Sequence, residues 1–122
     1  MITVIQDLPA HVAAFTASGE VTKTDYDTVL IPRIEEVNKT HGHIHFLFEL
    51  KTDVSNFTAA AWWKDFLIGL RHFSKWKKMA IVSDQKGVEK ISDWISPIMP
   101  GETKGFKPEE LEQAKIWVAS EN

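Results

Sequence analysis

The sequence predicts an α/β fold: a mostly parallel five-stranded sheet with an antiparallel first strand and about four helices. Three observations predict it. Short apolar or β-branched runs alternate with segments of helical periodicity; residues 44–50 are apolar almost throughout, as a strand covered on both faces is; and only a short turn separates the first two strand-like runs. Repeated strand–helix units imply parallel strands joined by right-handed crossovers, whereas a link that short joins only antiparallel neighbours.

Taken in order, residues 2–5 and 12–17 form the opening strand pair, with Asp7-Leu8-Pro9 as the turn between them. Ser18-Gly19-Glu20 ends the second strand. Thr22 or Thr24 then caps a helix in which Tyr26, Leu30, Ile34 and Val37 recur at helical spacing. Pro32 lies inside that pattern, removes a backbone donor and clashes with the preceding turn, so a kink or break is expected near Val29. Thr40-His41-Gly42 closes the helix, and residues 44–50 supply the central strand. With Asn56 or Thr58 as cap, an Ala- and Trp-rich helix is expected over 59–76, followed by a strand at 79–84. Gly87 marks a turn or helix start. Val88, Ile91, Trp94 and Ile95 fit a short amphipathic helix ended by Pro97 and Pro100, and 103–106 a short last strand. Pro108, Glu109 and Glu110 open the final helix, whose packed face is bracketed by Leu111, Ala114, Lys115 and Val118. With neither a fixed-period repeat nor a dividing linker, residues 1–122 are expected to form one domain.

Composition narrows the functional classes. Hydrophobic residues make up 43% of the 122 and charged residues 25%, enough for a core without staples and too apolar for disorder. Cysteine is absent, which excludes disulfides, thiolate metal sites and cysteine nucleophiles and suits a reducing compartment. The first seven residues lack a signal-peptide pattern and no apolar run approaches the ~20 residues of a membrane span, so a cytoplasmic address is expected. A net charge of −3 argues against general nucleic-acid binding.

The most informative stretch is 62–78. On a helical wheel Trp62, Trp63, Phe66, Leu67, Leu70, Phe73 and Trp76 cover about half the circumference, more than a surface helix needs. Ile68 falls on the opposite, basic face among Lys64, Arg71 and Lys75. Such a helix fits an anionic membrane surface; alternatively the apolar arc packs on the sheet and the cations are simply solvated. Gly69, which costs ~1 kcal/mol in mid-helix, offers a place to bend.

Other constellations are weaker. His41, His43 and His45 alternate, so a metal clip is conceivable, but neither a cysteine nor a carboxylate trio completes a shell and no metal is assigned. Ligands of open α/β sheets sit beyond the carboxyl ends of the strands, which collects Glu20, Lys51, Asp53, Asp84 and Lys86 near one edge. Carboxylates there more often cap helices than catalyse. The sequence carries no HExxH, Gly-rich phosphate loop or dinucleotide fingerprint, so neither catalysis nor a cofactor is expected. Glu49, on a strand that otherwise reads as buried, requires a partner or a raised pKa, unless the strand runs near an edge or a lysine reaches the carboxylate.

Several marks occur together in order: Gly19-Glu20-Val21-Thr22 leading to Asp25-Tyr26 and Pro32, then Trp63-Lys64-Asp65, the strand at 79–84, and Phe106 followed by Ala114-Lys115-Ile116-Trp117. In these the chain resembles the bacterial SpoIIAA-like proteins, whose fold is shared with STAS domains and is similar to the lipid-carrying CRAL-TRIO (Sec14-type) domains. The resemblance implies a small α/β domain without established enzymatic activity, for which membrane association and binding of a small apolar or lipid-like ligand have been suggested. Anti-sigma-factor antagonists of the STAS type carry a phosphorylatable Asp-Ser-Ser-Gly where the second helix begins. Here that stretch reads Lys51-Thr52-Asp53-Val54-Ser55-Asn56-Phe57-Thr58, so the phospho-switch is not transferred, although Ser55 or Thr58 at a helix start could accept phosphate. The expectation is a non-enzymatic module that binds a small apolar or lipid-like ligand through the Trp-rich helix, peripheral to the inner membrane. The alternative is a regulatory protein–protein module using 53–58.

Overall fold

Five strands lie side by side in the order in which the chain makes them: β1 (Ile2–Val4), β2 (Val12–Ala17), β3 (Ile44–Leu50), β4 (Trp76–Val82) and β5 (Glu102–Phe106). A computed structural model describes residues 1–52, 75–95 and 101–121, apart from the side chains of Trp94 and Ile95. As expected from its short link, β1 runs antiparallel to β2; all other neighbours are parallel.

The helix between β2 and β3, α1, runs over residues 23–41 in three segments: Lys23–Asp25, a π-helical Tyr26–Leu30 and Ile31–His41. Thr22 is its cap. The Thr22 hydroxyl accepts the Asp25 amide at 3.2 Å, and the Asp25 carboxylate accepts the Thr22 amide at 3.0 Å. The break expected near Val29 takes the form of the π turn. The Ile31 amide reaches back to the Tyr26 carbonyl, and the extra residue places Pro32 in the first turn of the next α segment, where its missing donor is harmless. Gly42, at φ 75°, ends the helix by donating to the Asn38 carbonyl at 2.9 Å, a left-handed conformation that disfavours a β-carbon.

After β4 comes α2 (Gln85–Ile95), and after β5 a 3₁₀ turn (Pro108–Glu110) leads into α3 (Leu111–Ala119). The faces follow from handedness. Crossovers of fixed hand that step in one direction along a sheet put their helices on one side. Accordingly Tyr26, Leu30, Ile34 and Val37 of α1 and Ile91 of α2 share a core with Phe15, Phe46, Phe48, Met79 and Ile81. The terminal helix, which makes no crossover, covers the other face, where Ala114 and Val118 pack on Val12, Ala14, Leu47, Ala80 and Val82. β3 is buried at every position, as a doubly covered strand is.

One boundary differs from the sequence reading. Trp76, placed there in the last turn of the Trp-rich helix, is the first residue of β4; its ring is 6% exposed and meets Phe46 edge-on at 5.7 Å. Lys75, assigned to the basic helical face, is exposed, non-helical backbone whose carbonyl accepts the Ile44 amide at 2.8 Å. Both are committed to joining β4 to β3.

Candidate functional site at the carboxyl ends of the strands

After a register shift between Ile44 and His45, β3 and β4 pair evenly from His45–Lys78 to Glu49–Val82 and then diverge, β3 into Lys51 and Thr52, β4 into Ser83 and Asp84. The divergence opens a cleft of about 580 Å³ lined, among the described residues, by Glu49, Leu50, Lys51, Thr52, Val82, Ser83, Asp84 and Pro108. A smaller concavity of about 220 Å³ shares Ser83 and continues past Val88 and Gly105 to Phe106 and Lys107. The carboxyl edge of the sheet is therefore hollow from β3 to β5.

Backbone hydrogen bonds fix the rim. The Lys51 amide donates to the Ala17 carbonyl at 2.8 Å, and the Ser83 amide to the Phe106 carbonyl at 3.1 Å. Asp84 caps α2: its Oδ1 accepts the Gly87 amide at 2.7 Å and its carbonyl accepts the Val88 amide at 2.9 Å. The floor holds Glu49, 8% exposed, whose Oε1 accepts the Thr16 hydroxyl at 2.8 Å; the two residues are cross-strand partners. Of the alternatives left open for Glu49, the structure shows a partner, a threonine on the neighbouring strand. Each cleft carboxylate has one oxygen engaged in holding the fold.

Of the residues gathered by the strand-end rule, Lys51 and Asp84 line the cleft; Glu20 and Lys86 do not, and Asp53 lies outside the described residues. Thr52, Ser83 and Pro108 escaped the sequence reading although they adjoin the same strand ends, because they carry no charge to single them out. Trp62, Trp63, Lys64, Phe66, Leu67, Ile68, Leu70, Arg71 and Phe73 lie outside the described residues, as do Ser55 and Thr58. Among the described residues no helix is long and apolar enough to cross a membrane.

At the opposite end of the sheet, donors from three chain segments meet the last carbonyls of α3. Lys78 Nζ donates to Trp117 at 3.2 Å, while ring nitrogens of His45 and His11 lie 2.5 and 2.8 Å from the carbonyl oxygens of Val118 and Ala119. A helix end leaves such carbonyls unsatisfied and carries partial negative charge, so imidazole and ammonium donors suit it. His41 is the last residue of α1, and its ring centre lies 6.2 Å from that of His11.

The sheet is sequentially ordered and mostly parallel, with a cleft at its carboxyl edge, in an α/β domain. The family model described as SpoIIAA-like matches residues 12–119, and the chain belongs to the SpoIIAA-like family. Neither the curated proteins nor the solved structures compared with it give a match. The likeness to CRAL-TRIO domains is no part of that family match.

Proposed function

We propose that the protein is a non-enzymatic regulatory module that engages a protein partner at the carboxyl ends of β3 and β4, in the manner of an anti-sigma-factor antagonist. The observation that carries this reading is the lining of the cleft. Among the described residues, Lys51 and Asp84 bring charges of opposite sign to its rim, beside Glu49, Thr52 and Ser83. Both signs of charge on a rim held in place by backbone hydrogen bonds suit a peptide segment, whose own charges and amides they can pair. The cleft also opens at Lys51 and Thr52, the lead into 53–58, the stretch that the protein–protein reading of the sequence would use. That both carboxylates serve the fold favours binding over catalysis. A cytoplasmic address belongs to the same proposal and rests on the cysteine-free composition.

The test is quantitative affinity capture from the protein's native cells with wild type and Lys51→Glu, whose side chain is exposed. A stoichiometric partner held by wild type and lost at least ~10-fold by a folded K51E supports the proposal, a tenfold loss being the size expected when one interfacial charge pair is reversed. Equal recovery by both, or recovery by neither, contradicts it.

A second reading, binding of a lipid-like ligand or an anionic membrane through Trp62, Trp63, Phe66, Leu67, Ile68, Leu70 and Phe73 with Lys64 and Arg71 as basic face, is supported by the sequence of that stretch. It loses Trp76 to the core and Lys75 to the lead into β4. Salt-sensitive co-sedimentation with anionic vesicles, unchanged in K51E, would favour it.

A further inference from the structure

Four of the five histidines lie together at the amino end of the sheet, far from the cleft: the rings of His11 and His45 are 4.9 Å apart, those of His43 and His45 5.2 Å, and His41 adjoins His11. One ligand atom each from His11, His45 and the carboxylate of Glu121 lies within 4.8 Å of the others. We infer that these three residues form a binding site for a divalent transition-metal ion of the zinc class.

The protons on the two rings can be placed. A carbonyl oxygen only accepts, so the nitrogen facing it must be the donor, and in a neutral imidazole the other nitrogen then carries a lone pair. Nδ1 of His45 faces the Val118 carbonyl, which leaves Nε2 as the lone pair; Nε2 of His11 faces the Ala119 carbonyl, which leaves Nδ1. Metal-binding histidines are oriented in this way, one nitrogen donating to a backbone carbonyl and the other turned to the ion. His45 is fully buried, and its Nε2 has no hydrogen-bond partner among the described residues. Capping of α3 accounts for the donating nitrogens and leaves that buried lone pair unexplained, whereas Lys78 caps the same helix end and leaves none.

Two imidazoles and a carboxylate are a donor set that zinc accepts, with ligand bonds of about 2.0–2.2 Å. Glu121, exposed beyond the end of α3, has the freedom to close the remaining distance. His43 Nε2 stands 3.8 Å from Glu121 Oε1, beside the trio. A bound ion would tie the approach to β2, the start of β3 and the tail after α3 to one another.

The test is calorimetric titration of tag-free protein with Zn²⁺ at pH 7.5 in a non-chelating buffer. Saturable binding of one ion per chain is expected. Affinity should fall by about 10–100-fold or more in Glu121→Gln and in His11→Gln, since loss of even an outer partner of a metal ligand has that effect. Glu121 is exposed, so E121Q remains informative should a His45 variant fail to fold. His72→Gln, in a different part of the chain, should bind as wild type does. No saturable binding, wild-type affinity in both E121Q and H11Q, or loss of binding in H72Q would overturn the site.

Discussion

The Nδ1 atom of His45 lies 2.5 Å from the carbonyl oxygen of Val118, joining the second residue of a fully buried strand to the last turn of the C-terminal helix. The contact is local chemistry with a long reach: α3 leaves its final carbonyls unsatisfied, and strand side chains supply the donors. It also makes a histidine part of the core, with consequences for pH.

Burial, the largest influence, lowers the His45 pKa below its ordinary 6.5; the Val118 bond raises it, and the positive charges of His11, His43 and Lys77 lower it again. The folded value is therefore below the unfolded one, so below about pH 6.5 the unfolded chain binds the extra proton. His45 thus contributes stability that is fully present above pH 6.5 and is lost as pH falls through the folded value. In urea titrations with a chelator present, wild type should lose stability below pH 6.5 more steeply than His45→Asn, which keeps an amide donor and cannot titrate.

Thr16 gives its hydroxyl proton to a carboxylate at the floor of the cleft. Thr16→Val keeps the shape of the side chain and strands that carboxylate, and should lower stability by about 1–3 kcal/mol. In a double-mutant cycle with Glu49→Leu, which removes the acceptor, the two losses should fall short of adding, because either change alone removes the same bond.

Gly105 lets α2 lie directly on β5: a β-carbon there would come within 2.1 Å of Val88 Cγ1. Valine in a helix has essentially one side-chain rotamer and cannot turn aside. Gly105→Ala should therefore cost about 1–3 kcal/mol in chemical denaturation, and adding Val88→Ala should recover a large part of it. Full additivity of the two losses would mean that the pair is not in contact.

All five strands, the antiparallel start, the Pro32 irregularity and the burial of β3 were legible in the sequence, because each is written in local periodicity or in one residue's backbone chemistry. The start of β4 was not. Trp76 fits the preceding apolar arc, and Lys78 falls before the strand expected at 79–84, yet Lys78 is a strand residue only 5% exposed, its ammonium bonded to the Trp117 carbonyl and 5.1 Å from the Trp117 ring centre. Only a partner from the far end of the chain makes a lysine in a central strand tolerable. Part of the cleft was legible too: Lys51 and Asp84 follow from the strand-end rule, while Ser83 and Pro108 enter through tertiary geometry. The histidine cluster shows the limit most clearly. Alternation singles out His41, His43 and His45, but His11 and Glu121 are delivered by the fold, His11 meeting Ala119 across 108 residues.

The central claim, that the carboxyl-edge cleft is where a protein partner binds, is tested most directly by site-specific photo-crosslinking in native cells. A photoreactive residue replaces Lys51 in the cleft or, as a control, Lys39, exposed near the end of α1. A discrete protein adduct from position 51 and none from position 39 is the predicted result. Identical adducts from both positions, or none from position 51, would contradict it.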